Sequence, residues 1–475
     1  MKKFFNASLI ILAMFIAVSA TVAQNFTKEF YSGRRAELIK KMEGGVFILS
    51  AAKAQQRQAI TDAPFQQNKN FLYLTGYNSP DAILLIAPKS ANKYILFTPK
   101  ARFFNRTTRK VEEKDIVKET IASYGVDSAY NLEDFEKVFK RYSAEESKIY
   151  CSRTDKETFD IVSKYTKDAA GNSTKKILDP GQLVAELRVI KTDEEISFLQ
   201  KAVDITTEAH IEAMKASQPK MNERTLDAII EYIYRLRWSS GFGFGSIVAS
   251  GPRSSILHYM DNNQEMKDGD VCVMDLGAAY NGYSADITRT IPVNGTFTKE
   301  QREIYQAVLN ANKVGIEQCI PGNKSQVVEE KVANQLRDEL FKLGLITDKN
   351  TTWQHRIWYT HGCSHSIGLD VHDITPTSYY NGGMKPGMIF TMEPGLYISL
   401  EALEQAKQYR MAGEKEFNEF YEKVLPVAKK YANIGVRIED DVLVTKDGNI
   451  VISAKCPKEI ADIEKIMKQK SRFVD

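Results

Sequence analysis

Residues 271–290 read Val271-Cys-Val-Met-Asp-Leu-Gly-Ala-Ala-Tyr-Asn-Gly-Tyr-Ser-Ala-Asp-Ile-Thr-Arg-Thr290, two apolar runs joined by Asn281-Gly282. An Asn-Gly pair between strand-like runs is the strongest short signal for a two-residue type I′ hairpin. With that turn Gly277 faces Asp286, and Asp275 lies on the same face of the sheet as Asp286. We therefore predict that two carboxylates converge on one face of a hairpin, whereas a loop one residue longer or shorter would separate them.

Solvent exposure is the alternative for either aspartate taken alone. Asp275, however, ends the run Val-Cys-Val-Met, which is apolar enough to be buried on both faces of a sheet. A charged group at the end of a buried run generally has a charged partner or binds a metal ion. The pattern therefore indicates a site rather than a surface hairpin.

The composition of the chain is that of an ordinary globular protein. It has 475 residues, of which 43% are hydrophobic, and this length corresponds to two or three domains. Lys and Arg number 64 and Asp and Glu 61, a net charge of +3, and the two signs are interspersed. This balance argues against nucleic acid or an anionic membrane surface as a partner.

The N-terminus has the layout of a secretory signal peptide. Lys2 and Lys3 precede the apolar run Leu9–Val18, and small residues follow up to Ala23. The run is short for a membrane span, although an uncleaved anchor is the alternative. We expect residues 1–23 to be removed and the mature protein to be exported, without a membrane span, to the periplasm or the medium.

The rest of the chain divides near Pro180-Gly181. Residues 27–180 mix strand-like runs with amphipathic helices, an α/β pattern without a chemical motif. The strands are expected at 82–87 and 94–98, and the helices at 134–142 and 156–165. After the boundary, capping boxes at Thr192/Glu195 and Thr298/Gln301 predict two helices, and a third is expected over 325–343.

The histidines cluster in one part of the chain. Three of the six fall within twelve residues, at His361, His365 and His372, which suggests a lined pocket. His210 is interpreted as structural because it lies within the first predicted helix, and His258 is ambiguous by itself. A thiol nucleophile at Cys363 is a weaker alternative, and the pairing of the five cysteines is not readable from the sequence.

Two glutamates sit at strand positions with apolar neighbours. Glu393 precedes Pro394, which should end its strand, and Glu439 shares a strand face with Arg437. Arg437 could orient or neutralise a carboxylate, and a buried Arg–Glu pair is the alternative for Glu439.

Two Asp, one His and two Glu together make a set of hard ligands without a thiolate. Such a set suits Mn, Fe, Co or Zn, and four carboxylates can bridge two ions about 3.5–4 Å apart. A pair of ions lowers the pKa of a shared water and polarises a carbonyl. Spacing alone does not bring these five residues together in space.

Seven short motifs of the second region occur together and in order. They are Ile256-Leu-His-Tyr259, Asp268-Gly-Asp-Val-Cys-Val-Met-Asp275, Tyr283-Ser-Ala-Asp-Ile-Thr-Arg-Thr290, His361-Gly-Cys-Ser-His365, Gly368-Leu-Asp-Val-His-Asp373, Thr391-Met-Glu-Pro-Gly-Leu-Tyr397 and Gly435-Val-Arg-Ile-Glu-Asp440. With these motifs the chain resembles the pita-bread metallopeptidases, specifically their aminopeptidase P and prolidase branch. The resemblance implies an α+β fold: a pita-bread catalytic domain over 185–460, preceded by a creatinase-like α/β domain over 27–180.

The resemblance also implies roles for the candidate residues. The metal ligands would be Asp275, Asp286, His365, Glu393 and Glu439. They would hold two divalent ions, in this family usually Mn, with Zn, Co or Fe as alternatives, and a hydroxide bridging the ions would attack the peptide. Glu393 would also take the proton of the bridging water, and Arg437 would tune a ligand carboxylate. His258 and His372 would steady the scissile carbonyl, and His361 would line a pocket for the proline ring.

The implied substrates are peptides with proline in second position, from which the N-terminal residue is released. A prolidase that cuts Xaa-Pro dipeptides is the close alternative, and an exported, non-catalytic peptide-binding protein is a more distant one. Family members often assemble through the first domain, so a dimer or tetramer is expected. Residues 400–431 depart from the family pattern as a charged insertion. We interpret the insertion as an exposed helical pair, more readily a solvated surface feature than part of the site's entrance.

Overall fold

The computed structural model describes residues 26–54, 65–105, 107, 109–114, 116–168, 171–172, 174–409 and 411–474. The predicted signal peptide over 1–23 lies outside these residues. Among the helices that are described, none combines the length and the apolar character needed to cross a bilayer.

The N-terminal part of the chain alternates short strands with helices. Its strands are β1 (Val46–Ser50), β2 (Ile83–Ile86), β3 (Tyr94–Thr98), β4 (Ala101–Asn105), β5 (Lys110–Lys114), β6 (Ser128–Asn131), β7 (Lys148–Tyr150) and β8 (Lys176–Leu178). Its helices are α1 (Lys28–Lys41), α2 (Lys69–Thr75), α3 (Val117–Tyr124), α4 (Phe135–Ser143), α5 (Lys156–Lys164) and α6 (Gly181–Arg188). Six strands form one mixed sheet in the order β6-β3-β2-β1-β7-β8, and β4 pairs with β5.

The predicted elements of this part are confirmed with small shifts. Strand β3 has the predicted bounds, and β2 is one residue shorter at each end than the predicted run. Helix α4 begins and ends one residue later than predicted, and α5 ends one residue earlier. The residues of β2 are all buried, as a continuous apolar run in the middle of a sheet requires.

The C-terminal part is built from antiparallel sheets and long helices. Its strands are β9 (Gly241–Phe242), β10 (Ile247–Ser250), β11 (Val271–Leu276), β12 (Ala278–Tyr280), β13 (Tyr283–Ser284), β14 (Ile287–Pro292), β15 (Ile389–Met392), β16 (Gly395–Ile398), β17 (Ile434–Arg437), β18 (Asp440–Val444) and β19 (Asn449–Val451). Its helices are α7 (Asp193–Ala216), α8 (Glu223–Leu236), α9 (Lys299–Gln318), α10 (Ser325–Leu343), α11 (Thr377–Gly382), α12 (Leu400–Gln408), α13 (Glu414–Tyr431) and α14 (Ile460–Met467).

The antiparallel strands of this part form small sheets, in the orders β10-β11-β14, β13-β12-β9, β15-β18-β19 and β16-β17. The long helices and the sheets share one large apolar core, in which Met214, Ile230, Val308, Leu336 and Val436 are all buried. The mixture of long helices with separate antiparallel sheets is the predicted α+β class.

The hairpin predicted at Asn281-Gly282 is present with the predicted register. Both turn residues have positive φ, 48° and 84°, as a type I′ turn requires. Tyr280 pairs with Tyr283, and further down the hairpin Asp275 pairs with Thr288. The register therefore puts the two aspartates on one face, as the sequence predicts.

Both capping boxes are also confirmed, at the first residues of α7 and α9. The insertion over 400–431 forms the predicted helical pair, α12 and α13, but its interpretation as a solvated feature is wrong. Phe417, Phe420 and Val424 of α13 are buried in the large core, because they recur at helical spacing and form one apolar face. The insertion is therefore a packed part of the domain.

Candidate metal centre

The structure brings together the acidic and imidazole groups that the sequence singles out. One ligand atom from each of Asp286, His365 and Glu439 lies within 4.8 Å of the other two. His365 Nε2 is 3.4 Å from Asp286 Oδ2 and 3.6 Å from Glu393 Oε1. Four residues that are far apart in sequence thus meet at one point of the domain.

Asp275 joins this cluster through β11, the strand that pairs with β14. Arg437 Nη2 donates to Asp275 Oδ2 across 2.6 Å, so one carboxylate oxygen has a charged partner. The other, Oδ1, is buried and has no hydrogen-bond partner among the described residues. A buried carboxylate oxygen without a donor is the group that a cation would satisfy.

Local backbone structure explains why two other candidate ligands, His365 and Glu393, lie side by side. Strand β15 ends at Met392, one residue before the predicted end, and leaves Glu393 just beyond the strand and before Pro394. Glu393 N donates to Cys363 O at 2.8 Å, and Thr391 N donates to His365 O at 2.9 Å. The histidine segment thus runs alongside the end of β15, which fixes His365 next to Glu393.

The electrostatics of the cluster are strongly unfavourable without a cation. Burial, and then the charge of Asp275, raises the pKa of Glu439 to about 8. Burial and the charge of Glu439 raise the pKa of Asp286 and of Glu393 well above their ordinary values. Arg437 supplies one positive charge against four carboxylates. An oxygen-rich set with one imidazole and excess negative charge fits divalent metal ions.

Of the remaining predicted histidines, His361 and His372 lie beside this cluster. His361 Nε2 is hydrogen-bonded to Tyr397 Oη at 2.7 Å, and His361 Nδ1 lies 3.6 Å from Glu393 Oε2. The rings of His365 and His372 have centroids 4.1 Å apart. His258 lies in the irregular segment after β10, and its side chain is exposed.

Burial and the charge of Arg437 lower the pKa of His361 to about 4. Burial and the charge of His372 lower the pKa of His365 to about 4. Both imidazoles are therefore neutral near pH 7. A neutral imidazole is the form that ligates a metal ion or accepts a hydrogen bond.

Sequence reasoning missed two residues of the site, Thr288 and Tyr397. Thr288 Oγ1 donates to Glu439 Oε2 at 2.7 Å and accepts from Arg437 Nε at 3.2 Å. Tyr397 Oη accepts from Arg437 Nη1 at 3.0 Å. Thr288 could have been found, because period-two alternation puts it on the face of Asp286.

Two alternatives from the sequence are wrong. The ion pair of Arg437 is with Asp275 rather than Glu439, because Glu439 lies past the end of β17 and accepts from Thr288 instead. Cys363 is buried, and burial together with the charge of Glu329 raises the pKa of its thiol well above 9. A thiol in that state does not act as a nucleophile near neutral pH. His210 is fully buried against Ile287 O, which fits its structural interpretation.

Comparisons with known proteins agree with this arrangement. The model of metallopeptidase family M24 matches residues 197–446, and the model of the aminopeptidase P N-terminal domain matches 31–150. The chain is 33% identical to Xaa-Pro aminopeptidase of Haemophilus influenzae, covering 93% of this chain and 97% of that protein. It is 34% identical to human Xaa-Pro aminopeptidase 3, covering 86% of this chain and 78% of that protein.

Solved structures give the same result for the fold. Zinc-substituted aminopeptidase P of Escherichia coli in complex with product superposes with a TM-score of 0.81 at 30% identity. That match covers 94% of this chain and 99% of the other. Aminopeptidase PepP of Pseudomonas aeruginosa superposes with a TM-score of 0.80 at 30% identity, covering 93% and 98%. The chain therefore belongs to metallopeptidase family M24, in the aminopeptidase P branch, and is a metal-dependent peptide hydrolase.

Proposed function

We propose that the protein releases the N-terminal residue from peptides that have proline in second position, using two divalent metal ions. The observation that carries the proposal is the largely buried cluster of Asp275, Asp286, His365, Glu393 and Glu439, in which Asp275 Oδ1 has no hydrogen-bond partner among the described residues. The specificity for proline rests on the names of the relatives, which are Xaa-Pro aminopeptidases.

These five side chains would hold the ions. Two divalent cations in such a site supply a hydroxide nucleophile near neutral pH and polarise the scissile carbonyl. Manganese is the metal we propose, because carboxylate-rich sets suit it. Arg437 holds the Asp275 carboxylate in place through a 2.6 Å hydrogen bond.

Glu393 is suited to carry a proton. In the metal-free chain its carboxylate is largely buried beside other acids, and this surrounding raises its pKa. A carboxylate placed beside the nucleophile can act as its general base. We assign to Glu393 the uptake of the nucleophile's proton and its later delivery to the leaving nitrogen.

The histidines around the cluster would bind the substrate. His361 is fixed by Tyr397 on one side and by Gly362 O, at 2.7 Å from Nδ1, on the other. We assign His361 to the wall against which the proline ring packs. His258 and His372, whose side chains are exposed, would donate to the scissile carbonyl oxygen.

Peptide cleavage by the metal-stripped protein resupplied with Mn tests the proposal. The substrates are an Xaa-Pro-Yaa tripeptide, an Xaa-Pro dipeptide and a tripeptide without proline. Mn-dependent release of Xaa from the first is expected. Cleavage of the dipeptide alone would instead make the protein a prolidase, and cleavage regardless of proline would overturn the proposed specificity.

We further propose that the protein is exported and forms a dimer or tetramer. Export rests on Leu9–Val18 and the small residues up to Ala23. N-terminal sequencing of protein from fractionated cells should give a chain that begins near Gln24. Light scattering of the purified protein measures the oligomeric state, and a monomer at micromolar concentration would contradict that part of the proposal.

A further inference from the structure

The carboxylate of Glu223, the first residue of α8, accepts an unusually large number of hydrogen bonds. Its side chain is fully buried. Oε1 accepts from Ser250 N at 2.9 Å, Ser250 Oγ at 2.6 Å and Arg253 Nε at 3.0 Å. Oε2 accepts from Tyr259 Oη at 2.8 Å and from Gln264 N at 3.0 Å. All five donors belong to one segment, residues 250–264.

This segment carries His258 and has little regular structure of its own. A short 3₁₀ helix covers Gly251–Ser255, and the rest of the segment is irregular. Donors to Glu223 flank His258 on both sides, and one of them, Tyr259, is its immediate neighbour. Glu223 therefore closes the segment into a loop of fixed shape, while the His258 side chain itself remains exposed.

The loop is packed beside the candidate metal centre through a strand pairing and a hydrogen bond. It leaves from β10, in which Ile247 pairs with Asp275 of β11. Ser254 Oγ accepts from Gly435 N at 2.9 Å, in the strand that ends at Arg437. A Cβ at Gly435 would lie 2.1 Å from Ser254 O, so the loop and this strand are in close contact. A change in the shape of the loop would therefore displace His258 relative to the site.

The surroundings of Glu223 favour its ionised form, which can accept all five hydrogen bonds. Burial favours the neutral form, but the hydrogen bonds from Ser250, Gln264 and Tyr259 outweigh it and hold the pKa below its ordinary value. Arg253 compensates the negative charge. The apolar face of α8 is anchored separately, through buried Leu226 and Ile230, so the helix does not depend on these hydrogen bonds alone.

We infer that Glu223 is a positioning residue for His258, fixing the loop from which that imidazole reaches the substrate. The inference rests on the proposed function, in which His258 binds the scissile carbonyl. Holding a catalytic group in place is worth a large factor, because a displacement of about 1 Å can cost about 100-fold in rate. A loop without regular structure needs such an anchor more than a strand does.

The test is a double-mutant cycle with Glu223→Ala and His258→Ala, in the full-length, Mn-loaded protein. Each variant is assayed for kcat and KM on an Xaa-Pro-Yaa tripeptide and for bound metal. We expect Glu223→Ala to lower kcat by about 10- to 100-fold with the metal content unchanged. In the His258→Ala background the same change should cost almost nothing. Additive losses would mean that Glu223 does not act through His258, and would overturn the inference.

Amide hydrogen exchange gives a readout that does not depend on activity. Ser250 N and Gln264 N donate directly to the carboxylate, so Glu223→Ala should speed exchange within 250–264 and leave β11 and β14 protected. Unchanged exchange in this segment would contradict the inference. If Glu223→Ala does not fold, Glu223→Gln, which keeps one acceptor oxygen, takes its place with a smaller expected loss.

Glu464 provides the matched control. It is a mostly buried carboxylate that accepts from Phe297 N at 3.0 Å and pairs with Arg302, in a segment away from His258. Glu464→Ala should leave kcat within about twofold of wild type. If His258→Ala itself keeps the wild-type kcat, the proposed role of His258 fails and the inference fails with it. If only the additivity test fails, the proposed function stands and the inference alone is overturned.

Discussion

Arg437 and Asp275 form an ion pair that engages only one oxygen of the carboxylate. Arg437 Nη2 is 2.6 Å from Asp275 Oδ2, whereas Asp275 Oδ1 is buried and has no hydrogen-bond partner within the described part of the chain. The guanidinium also donates to Tyr397 Oη and to Thr288 Oγ1. A single side chain thus fixes Asp275, which we propose as a metal ligand, together with Tyr397, which contacts His361, and Thr288, which contacts Glu439.

Arg437→Lys should therefore damage the site although it keeps the charge. One ammonium group cannot serve three acceptors in these directions. We expect kcat/KM on an Xaa-Pro-Yaa tripeptide and the affinity for Mn to fall by about 10- to 100-fold, the usual effect of losing a partner of a metal ligand. Steady-state kinetics and calorimetric metal titration measure the two losses. Arg302→Lys, at a partly exposed pair with Glu464, is the control, and an equal loss there would contradict the argument.

Tyr397→Phe tests the fixation of His361. Since Tyr397 Oη accepts from Arg437, its own proton is directed at His361 Nε2, which leaves the ring proton on Nδ1, facing Gly362 O. Removing the hydroxyl takes a hydrogen bond from the neutral ring, so the pKa of His361 should rise from about 4.

The expected result of Tyr397→Phe is a loss of about 3- to 10-fold in kcat/KM, with the acid limb of the pH profile moved to higher pH. The profile of kcat/KM against pH measures both effects. Tyr305→Phe is the control, because Tyr305 is also buried but donates to Lys458 O. A wild-type acid limb in Tyr397→Phe would show that this hydroxyl does not set the state of His361.

Much of the site could be predicted because a hairpin has simple rules. The Asn281-Gly282 turn fixes a register in which Asp275 pairs with Thr288, and period two then assigns faces. The starts of α7 and α9, which Thr192 and Thr298 cap, could also be predicted, because a capping box is local in sequence. Local chemistry therefore predicted the hairpin register and the starts of these two helices to the residue.

The hydrogen-bond partners of the candidate metal ligands were harder to predict, because they come from distant parts of the chain. Arg437 lies 162 positions from Asp275. Its period-two relation to Glu439 pointed to the wrong carboxylate, since β17 ends at Arg437. Nothing in the sequence near Tyr397 shows that its hydroxyl reaches His361. The buried face of α13 was overlooked in a similar way, because charged residues are as numerous as apolar ones in this helix.

Arg188 connects the two parts of the chain, and its loss should lower stability. Its guanidinium donates to Asn70 Oδ1 of α2 at 2.7 Å and pairs with Asp373 and Asp370 near His372. Arg188 and Asp373 are buried, so Arg188→Met leaves carboxylate charge that Lys191 alone must compensate. We expect the free energy of unfolding to fall by about 3–5 kcal/mol.

Chemical denaturation of the metal-loaded protein measures that change. Arg235→Met is the matched control, because Arg235 pairs with Glu231 at 3.9 Å on the exposed face of α8. The control should change stability by less than about 0.5 kcal/mol. Equal effects of the two substitutions would mean that the buried pair contributes no more than a surface one.

The metal-free protein should lose stability as the pH rises, because of Glu439. The pKa of its carboxyl is about 8 in the folded chain and 4.5 when unperturbed. Between these values the unfolded chain has released a proton that the folded chain still holds, so the free energy of unfolding falls with rising pH. The slope approaches about 1.4 kcal/mol per pH unit and vanishes above the folded pKa.

Denaturation in the presence of a chelator, at pH 5 to 8, should therefore show wild type losing stability relative to Glu439→Gln, which has no proton to release. The comparison cancels the titration of groups remote from Glu439, whereas Asp286 and Glu393, whose pKa Glu439 raises, titrate at lower pH in the variant. With Mn bound, the carboxylates are already ionised, so the stabilisation that the metal provides should grow as the pH rises. A metal-free wild type that keeps a constant difference from Glu439→Gln would show that this carboxyl is ionised before the metal binds. The buried acids would then have to be compensated by groups other than the cations.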